Sequence, residues 1–139
     1  MLNIHFFRED IEADLPSEAT KRWVSKIIDQ HDKQLNTLNF IFCSDPFLHQ
    51  LNLEYLNHDT YTDIVTFDSS EDEKEIEGDI FISLERISDN SNKLKIPFEE
   101  ELHRVMAHGV LHLLGFGDKT EKEQQLMRNK ENECLALRF

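Results

Sequence analysis

Residues His108 to Asp118 read HGVLHLLGFGD. Successive helical residues are rotated by ~100°, so positions four apart lie on one face about one turn from each other. His108 and His112 can therefore aim two imidazoles at one ion. Leu102, Val105, Met106, Gly109 and Leu113 form a neighbouring apolar stripe that would seat this helix on a sheet. A third ligand must come from beyond the helix, and Asp118 lies too far along to share its face. Gly115 and Gly117 supply the break, since glycine reaches positive φ without steric cost and commonly ends helices. Of the four glycines in the chain, three fall inside this segment. The third of these, Gly109, costs a helix about 1 kcal/mol relative to alanine, so it marks close approach to another backbone. Catalytic zinc sites usually have three protein ligands drawn from nitrogen, sulfur and carboxylate donors, with a fourth position open to water. The reading assigns the metal to His108, His112 and Asp118.

Upstream, the prolines sit where helices can begin. Pro16 and Ser17 precede a segment to about Lys33 with Ala19, Trp23, Val24, Ile27 and Ile28 at helical spacing. Asp45 resembles an N-cap with Pro46 as the first helical residue of a segment carrying Phe47, Leu48, Leu51 and Tyr55. Pro97 opens the expected histidine-bearing helix, with Glu99, Glu100 and Glu101 in the first turn, where the helix dipole favours acids. Strand-like runs are Leu2–Phe7, Leu38–Cys43, Thr62–Phe67 and Asp79–Ser83. The expected order is β, α, β, α, β, β, α, α. Without strict βαβ alternation it favours one α+β domain spanning residues 1–139, a mixed sheet of about four strands covered by helices.

Composition narrows the class. The 139 residues suit one core. Hydrophobic residues at 39% and charged residues at 31% belong to a folded, soluble chain rather than a disordered one. No apolar run approaches the ~20 residues that span a bilayer, and the start lacks the basic-then-apolar pattern of a signal peptide. No membrane partner is expected. The two cysteines, Cys43 and Cys134, are too few for a disulfide framework and suit buried positions in a reducing cytoplasm. The net charge is −13, which repels polyanions at long range. No Lys or Arg falls between Lys33 and Lys74, whereas five basic residues face four acids from Lys119 onward. An anionic substrate should therefore meet the C-terminal part, with Lys93, Lys95, Arg104, Lys119, Lys122, Arg128 and Lys130 as the available cations.

The spacing His, four on, His, six on, third ligand matches the metalloprotease pattern H-E-x-x-H-x-x-G-x-x-H, glycine included. The protease base, however, is replaced by Gly109, which argues against a zinc peptidase. Three stretches together resemble another family. HGVLHLLGFGD is similar to the H-G-x-L-H-L-x-G-Y-D-H motif of the bacterial YbeY proteins. LNLEYLNHDTYTDIVTFD, Leu51 to Asp68, is similar to their L-N-x-x-Y-R-x-x-D-x-x-T-D-V-L-S-F segment, and EGDIFIS, Glu77 to Ser83, to their G-D-I-x-I-S strand. The three occur in the family's order.

The resemblance implies a zincin-like α+β fold and one bound zinc per chain. It implies a single-strand-specific, metal-dependent endoribonuclease that matures the 3′ end of 16S rRNA and serves ribosome quality control, with small-subunit rRNA and the ribosome or its assembly factors as partners. Two positions depart from the pattern. Asp118 stands where the family has a third His. A carboxylate can replace imidazole on zinc, though it weakens the Lewis acid and widens the choice of metal. Leu56 stands where the family usually has an arginine suited to phosphate. That departure favours the alternative of a ribosome-assembly binding protein with a structural or weakly catalytic zinc site.

Beyond water activated on the ion, the catalytic candidates are His58, as a proton shuttle, and Asp63. Asp63 and Asp79 are also candidates for accepting a ligand histidine's N–H, with strand-end capping the simpler role for Asp79. His103 lies about 140° round the helix from His108 and is not a fourth ligand.

Overall fold

The computed structural model describes residues 3–56 and 62–139. Along the chain it forms β1 (Ile4–Arg8), α1 (Glu18–Asp29), β2 (Gln34–Cys43), α2 (Asp45–Leu56), β3 (Ile64–Asp68), β4 (Glu75–Ser83), α3 (Leu84–Leu94), α4 (Phe98–Leu113) and α5 (Glu121–Ala136). The strands form one sheet in the order β1-β2-β4-β3. β1, β2 and β4 run parallel, and β3 pairs antiparallel with β4 at one edge. Parallel neighbours need a crossover, and α1 supplies the one between β1 and β2. The structure is thus the expected α+β domain with a four-stranded mixed sheet.

Side-chain alternation along the strands divides the core. Phe40, Phe42, Ile80 and Ile82 join Trp23, Ile27, Met106, Val110 and Leu111 in the main cluster beneath α1 and α4. The intervening Cys43, Val65 and Phe81 face the other way and pack with Leu48 and Phe47 of α2. Phe40 to Cys43 are all buried, so the end of β2 is covered on both faces and appears in sequence as an unbroken apolar run. Both cysteines are buried and free. Burial first, then nearby acids, pushes the Cys43 thiol up to about 12 and Cys134 to about 11, so neither is a thiolate at neutral pH.

Several boundaries differ from expectation. α1 stops at Asp29 rather than near Lys33, because Asp32 adopts a left-handed φ of 54° and turns the chain into β2. Asp45 is not the cap of α2. Ser44 Oγ accepts the Phe47 N–H, while Asp45 is ion-paired to Arg86 at 2.6 Å. Three helices follow β4, not two. α3, which was not expected, carries a narrow apolar face that buries Ile87 beside Ser91, and Ser83 caps it by accepting the Arg86 N–H. α4 buries more than one stripe, including Ala107, Val110 and Leu111, because α1, α3, α5 and the sheet all pack on it. No described helix is long and apolar enough to cross a membrane.

Candidate metal centre

α4 is held from several sides, and that fixes the two histidines it carries. Gly109, next to His108, faces the sheet. A Cβ there would meet Ile64 Cδ1 at 2.8 Å and Ile80 Cδ1 at 3.1 Å. The close approach expected at Gly109 is real, but its neighbours are strand side chains rather than backbone. Burying Ile80 completely is worth roughly 1.5–3 kcal/mol, more than the helix loses by having glycine at this position.

The end of α4 aims Asp118. Gly115 has φ +107°. Its N–H reaches His112 O at 3.0 Å, and the Phe116 N–H reaches Leu111 O at 3.0 Å. These are the two bonds of a Schellman helix end with glycine in the left-handed position. Gly117 has no positive φ and plays a different part from the one expected. A Cβ there would run into the Glu123 carboxylate, which accepts the Lys119 and Thr120 N–H groups in the capping box that starts α5. The turn thus locks onto the next helix, and Asp118 is carried back over α4.

The three side chains converge. His108 Nε2 and His112 Nε2 are 3.0 Å apart, and Asp118 Oδ2 is 3.2 Å from each. A tetrahedral ion with bonds of ~2.0–2.1 Å needs donor separations of roughly 3.3 Å. The donors match that in type and spacing, and they are the one group among the described residues that could hold a metal ion.

The residue behind His108 was not anticipated. Glu131 of α5 places Oε2 2.7 Å from His108 Nδ1, while Arg104 donates to its Oε1 at 3.1 Å. Burial would raise the Glu131 carboxyl, but the bonds from His108 and Arg104 outweigh it and hold the pKa below the usual glutamate value. An ionised carboxylate only accepts, so the proton of a neutral His108 sits on Nδ1 and the Nε2 lone pair faces His112 and Asp118. Burial disfavours a charge on His108. The Glu131 hydrogen bond and charge, then Asp118 and Asp63, overcome this and raise its pKa. Electron density converges here, and a cation would satisfy it. Sequence did hold a signal for Glu131: it lies on the buried stripe of α5 with Met127 and Cys134, an acid where apolar residues are expected.

The cleft over the centre is a cavity of about 440 Å³ lined by Leu56, Thr62, Asp63, Ile64, Val65, Thr66, His108, His112 and Asp118. Asp63 is therefore beside the centre, but its carboxylate is hydrogen-bonded to Asn90 at 3.5 Å and not to a ligand histidine. Burial is the main cause of its raised pKa. Asp79 lies away from the site, within β4, accepting from Asn39 on β2 at 3.0 Å; it is a cross-strand partner rather than a strand-end cap. His103 is buried against Trp23 and Phe139 and takes no part. His58 lies outside the described residues. Of the expected cations, Arg104 is committed to Glu131 and Asn132, Lys93 pairs with Asp89, and Lys130 pairs with Glu133.

Fold and site together define an α+β protein whose central helix and following turn present a His/His/Asp group that could hold a metal ion. The chain matches the model of the family described as Endoribonuclease YbeY over residues 4–137. It is 54% identical over 131 residues to the Endoribonuclease YbeY of Amoebophilus asiaticus, a match covering 94% of this chain and 89% of that one. With the Cytophaga hutchinsonii Endoribonuclease YbeY the identity is 49% over 136 residues, 97% of this chain and 95% of the other. The solution structure of a Thermotoga maritima protein shares the fold, with a TM-score of 0.70 and 24% identity over 96% of this chain and 87% of that one. The chain belongs to the Endoribonuclease YbeY family, whose members are hydrolases of RNA phosphodiester bonds.

Proposed function

We propose that this chain is a zinc-dependent endoribonuclease of the cytoplasm, selective for single-stranded RNA, that trims the 3′ end of 16S rRNA and serves ribosome quality control in company with the ribosome or its assembly factors. The observation that carries the reading is the triangle of His108 Nε2, His112 Nε2 and Asp118 Oδ2, with sides of 3.0, 3.2 and 3.2 Å, opening on a cleft. Three protein donors with room for a fourth partner is the pattern of a catalytic rather than a structural zinc. An ion held there would supply Lewis acidity toward a phosphoryl oxygen and lower the pKa of water.

The chain's own residues supply the rest. Glu131 keeps the His108 proton on Nδ1 and fixes the ring. Asp63 is the carboxyl group for moving a proton, because it lines the cleft beside His108 and burial raises its pKa, the direction a general acid or base needs. His58 is the second candidate. The position of Gly109 against Ile64 and Ile80 leaves no room for a peptidase glutamate. A second reading, an assembly factor whose ion is structural, draws on Leu56 in the cleft wall where a cation would serve RNA better.

The deciding experiment incubates metal-depleted protein, the same protein reloaded with zinc or manganese, and His112→Ala with oligonucleotides from the 3′ end of small-subunit rRNA, single-stranded and annealed. Cleavage is expected only with reloaded wild type and only on single strands. Reloaded protein that binds these RNAs without cutting them would favour the assembly-factor reading.

A further inference from the structure

A second cavity, of about 200 Å³, adjoins the metal centre. It is lined by Leu94, Glu101, Arg104, Val105, Arg128 and Glu131, and it shares Asp63, Ile64 and His108 with the cleft over the metal centre. The two cavities therefore adjoin at these three residues. Glu101, Arg104, Val105 and His108 reach it from a single face of α4, being spaced three, four and seven apart.

Glu101 is out of place there. It is only 6% exposed, and its Oε1 is buried with no hydrogen-bond partner among the described residues. A buried polar atom left unpaired costs about 1–3 kcal/mol, so such an atom in a cavity wall beside a reaction centre points to a ligand. What ligand follows from the surroundings. A second metal ion does not fit: the described residues gather one ligating group, and Glu101 is not in it. A phosphate does not fit deep inside, where Asp63, Glu101 and Glu131 would repel it. At ~30 Å³ per water, the volume holds about seven waters, enough for one nucleobase ring. Ile64 and Val105 offer that ring apolar contact, and Leu94, 57% exposed, forms a rim. Arg128, its side chain 62% exposed, stands at the mouth, where a phosphate would lie.

We infer that this cavity is a nucleobase subsite, in which Glu101 hydrogen-bonds the exocyclic amine of a base flanking the scissile phosphate. The inference rests on the endoribonuclease reading and adds a sequence preference to it. Carboxyl oxygens accept from the amines of cytosine, adenine and guanine, whereas uracil offers its single N–H between two carbonyls that a carboxylate repels. Burial, then the Asp63 charge, raises the Glu101 pKa; in its protonated form the group both donates and accepts, which suits the amine and adjacent ring nitrogen of cytosine or adenine.

The test titrates AMP, CMP, GMP and UMP into the zinc-loaded protein and follows the methyl resonances of Ile64, Leu94 and Val105. Amine-bearing nucleotides are expected to shift them at millimolar concentration, with UMP weaker by about tenfold, the scale of one base-edge recognition. Glu101→Leu should abolish the preference while leaving thermal stability equal or higher, because it removes an unpaired buried oxygen; Glu101→Gln, nearly isosteric, guards against a folding defect. Equal response to all four nucleotides, or a preference that survives both substitutions, would overturn the subsite. Cleavage of single-stranded RNA, measured alongside, separates the two claims. RNA cut without base preference leaves the nuclease standing and the subsite refuted. Nucleotides seated through Glu101 without cleavage do the reverse.

Discussion

Glu131 is the residue on which the centre most depends without touching the proposed ion. It fixes the His108 tautomer and shares its charge with Arg104. Carboxylates in this position typically account for about 10–100-fold in metal affinity. Glu131→Gln keeps an acceptor but loses the charge, so its zinc affinity in competition titrations should fall about tenfold while the circular dichroism stays native. His103 illustrates a titration with a purely structural consequence. Burial, then the Arg138 charge, lowers its pKa despite a smaller opposing effect from Glu99. A histidine with a depressed folded pKa binds fewer protons folded than unfolded. Its contribution is therefore intact above the unfolded value of about 6.5 and declines as the pH falls below it. Urea midpoints at pH 7.5 and 5.5 should show wild type losing more stability than His103→Phe, which cannot charge.

At the scale of elements, the convergence of His108, His112 and Asp118 was legible because it is local: two histidines one helical turn apart, then a glycine turn. Glu131 was not, because it lies 23 positions beyond His108 and is brought back by the packing of α5 on α4. Glu101 was legible only as a first-turn acid. The dipole accounts for an exposed acid there, and its burial depends on its neighbours in three dimensions. Strand existence was plain from β-branched and aromatic runs. The ends of β2 and β4 were not, since Gln34–Leu35 and Glu75–Ile76 owe their strand state to pairing with each other rather than to composition. Gly115 ties element to site. Alanine at φ +107° should cost about 1–3 kcal/mol of stability. It should also weaken metal binding, because the same turn aims Asp118. Denaturant melts and metal titrations on Gly115→Ala measure both, and loss of stability with unchanged affinity would show that Asp118 is placed independently of the turn.

Across the whole molecule, charge is arranged around the cleft. The acidic β3–β4 loop, Asp68 to Glu75, lines a hollow that also touches His112, whereas Arg128 borders the base cavity beside His108. A polyanion would be turned away from the loop and toward α5. Leu56, 42% exposed in the cleft wall, leaves a gap in that cationic track. Leu56→Arg is expected to tighten single-stranded RNA binding several-fold and to steepen the slope of log K against log salt by about 0.7, the effect of one added phosphate contact. An unchanged slope in fluorescence anisotropy would place the RNA elsewhere. Beneath all of this lies the claim that His108, His112 and Asp118 hold a metal, and metal content by mass spectrometry tests it most directly, on protein purified without added metal and on His112→Ala. About one zinc per chain in wild type, lost in the variant, is the expected result. A wild-type protein that carries no stoichiometric metal and fails to take up zinc, manganese or nickel when supplied would contradict it.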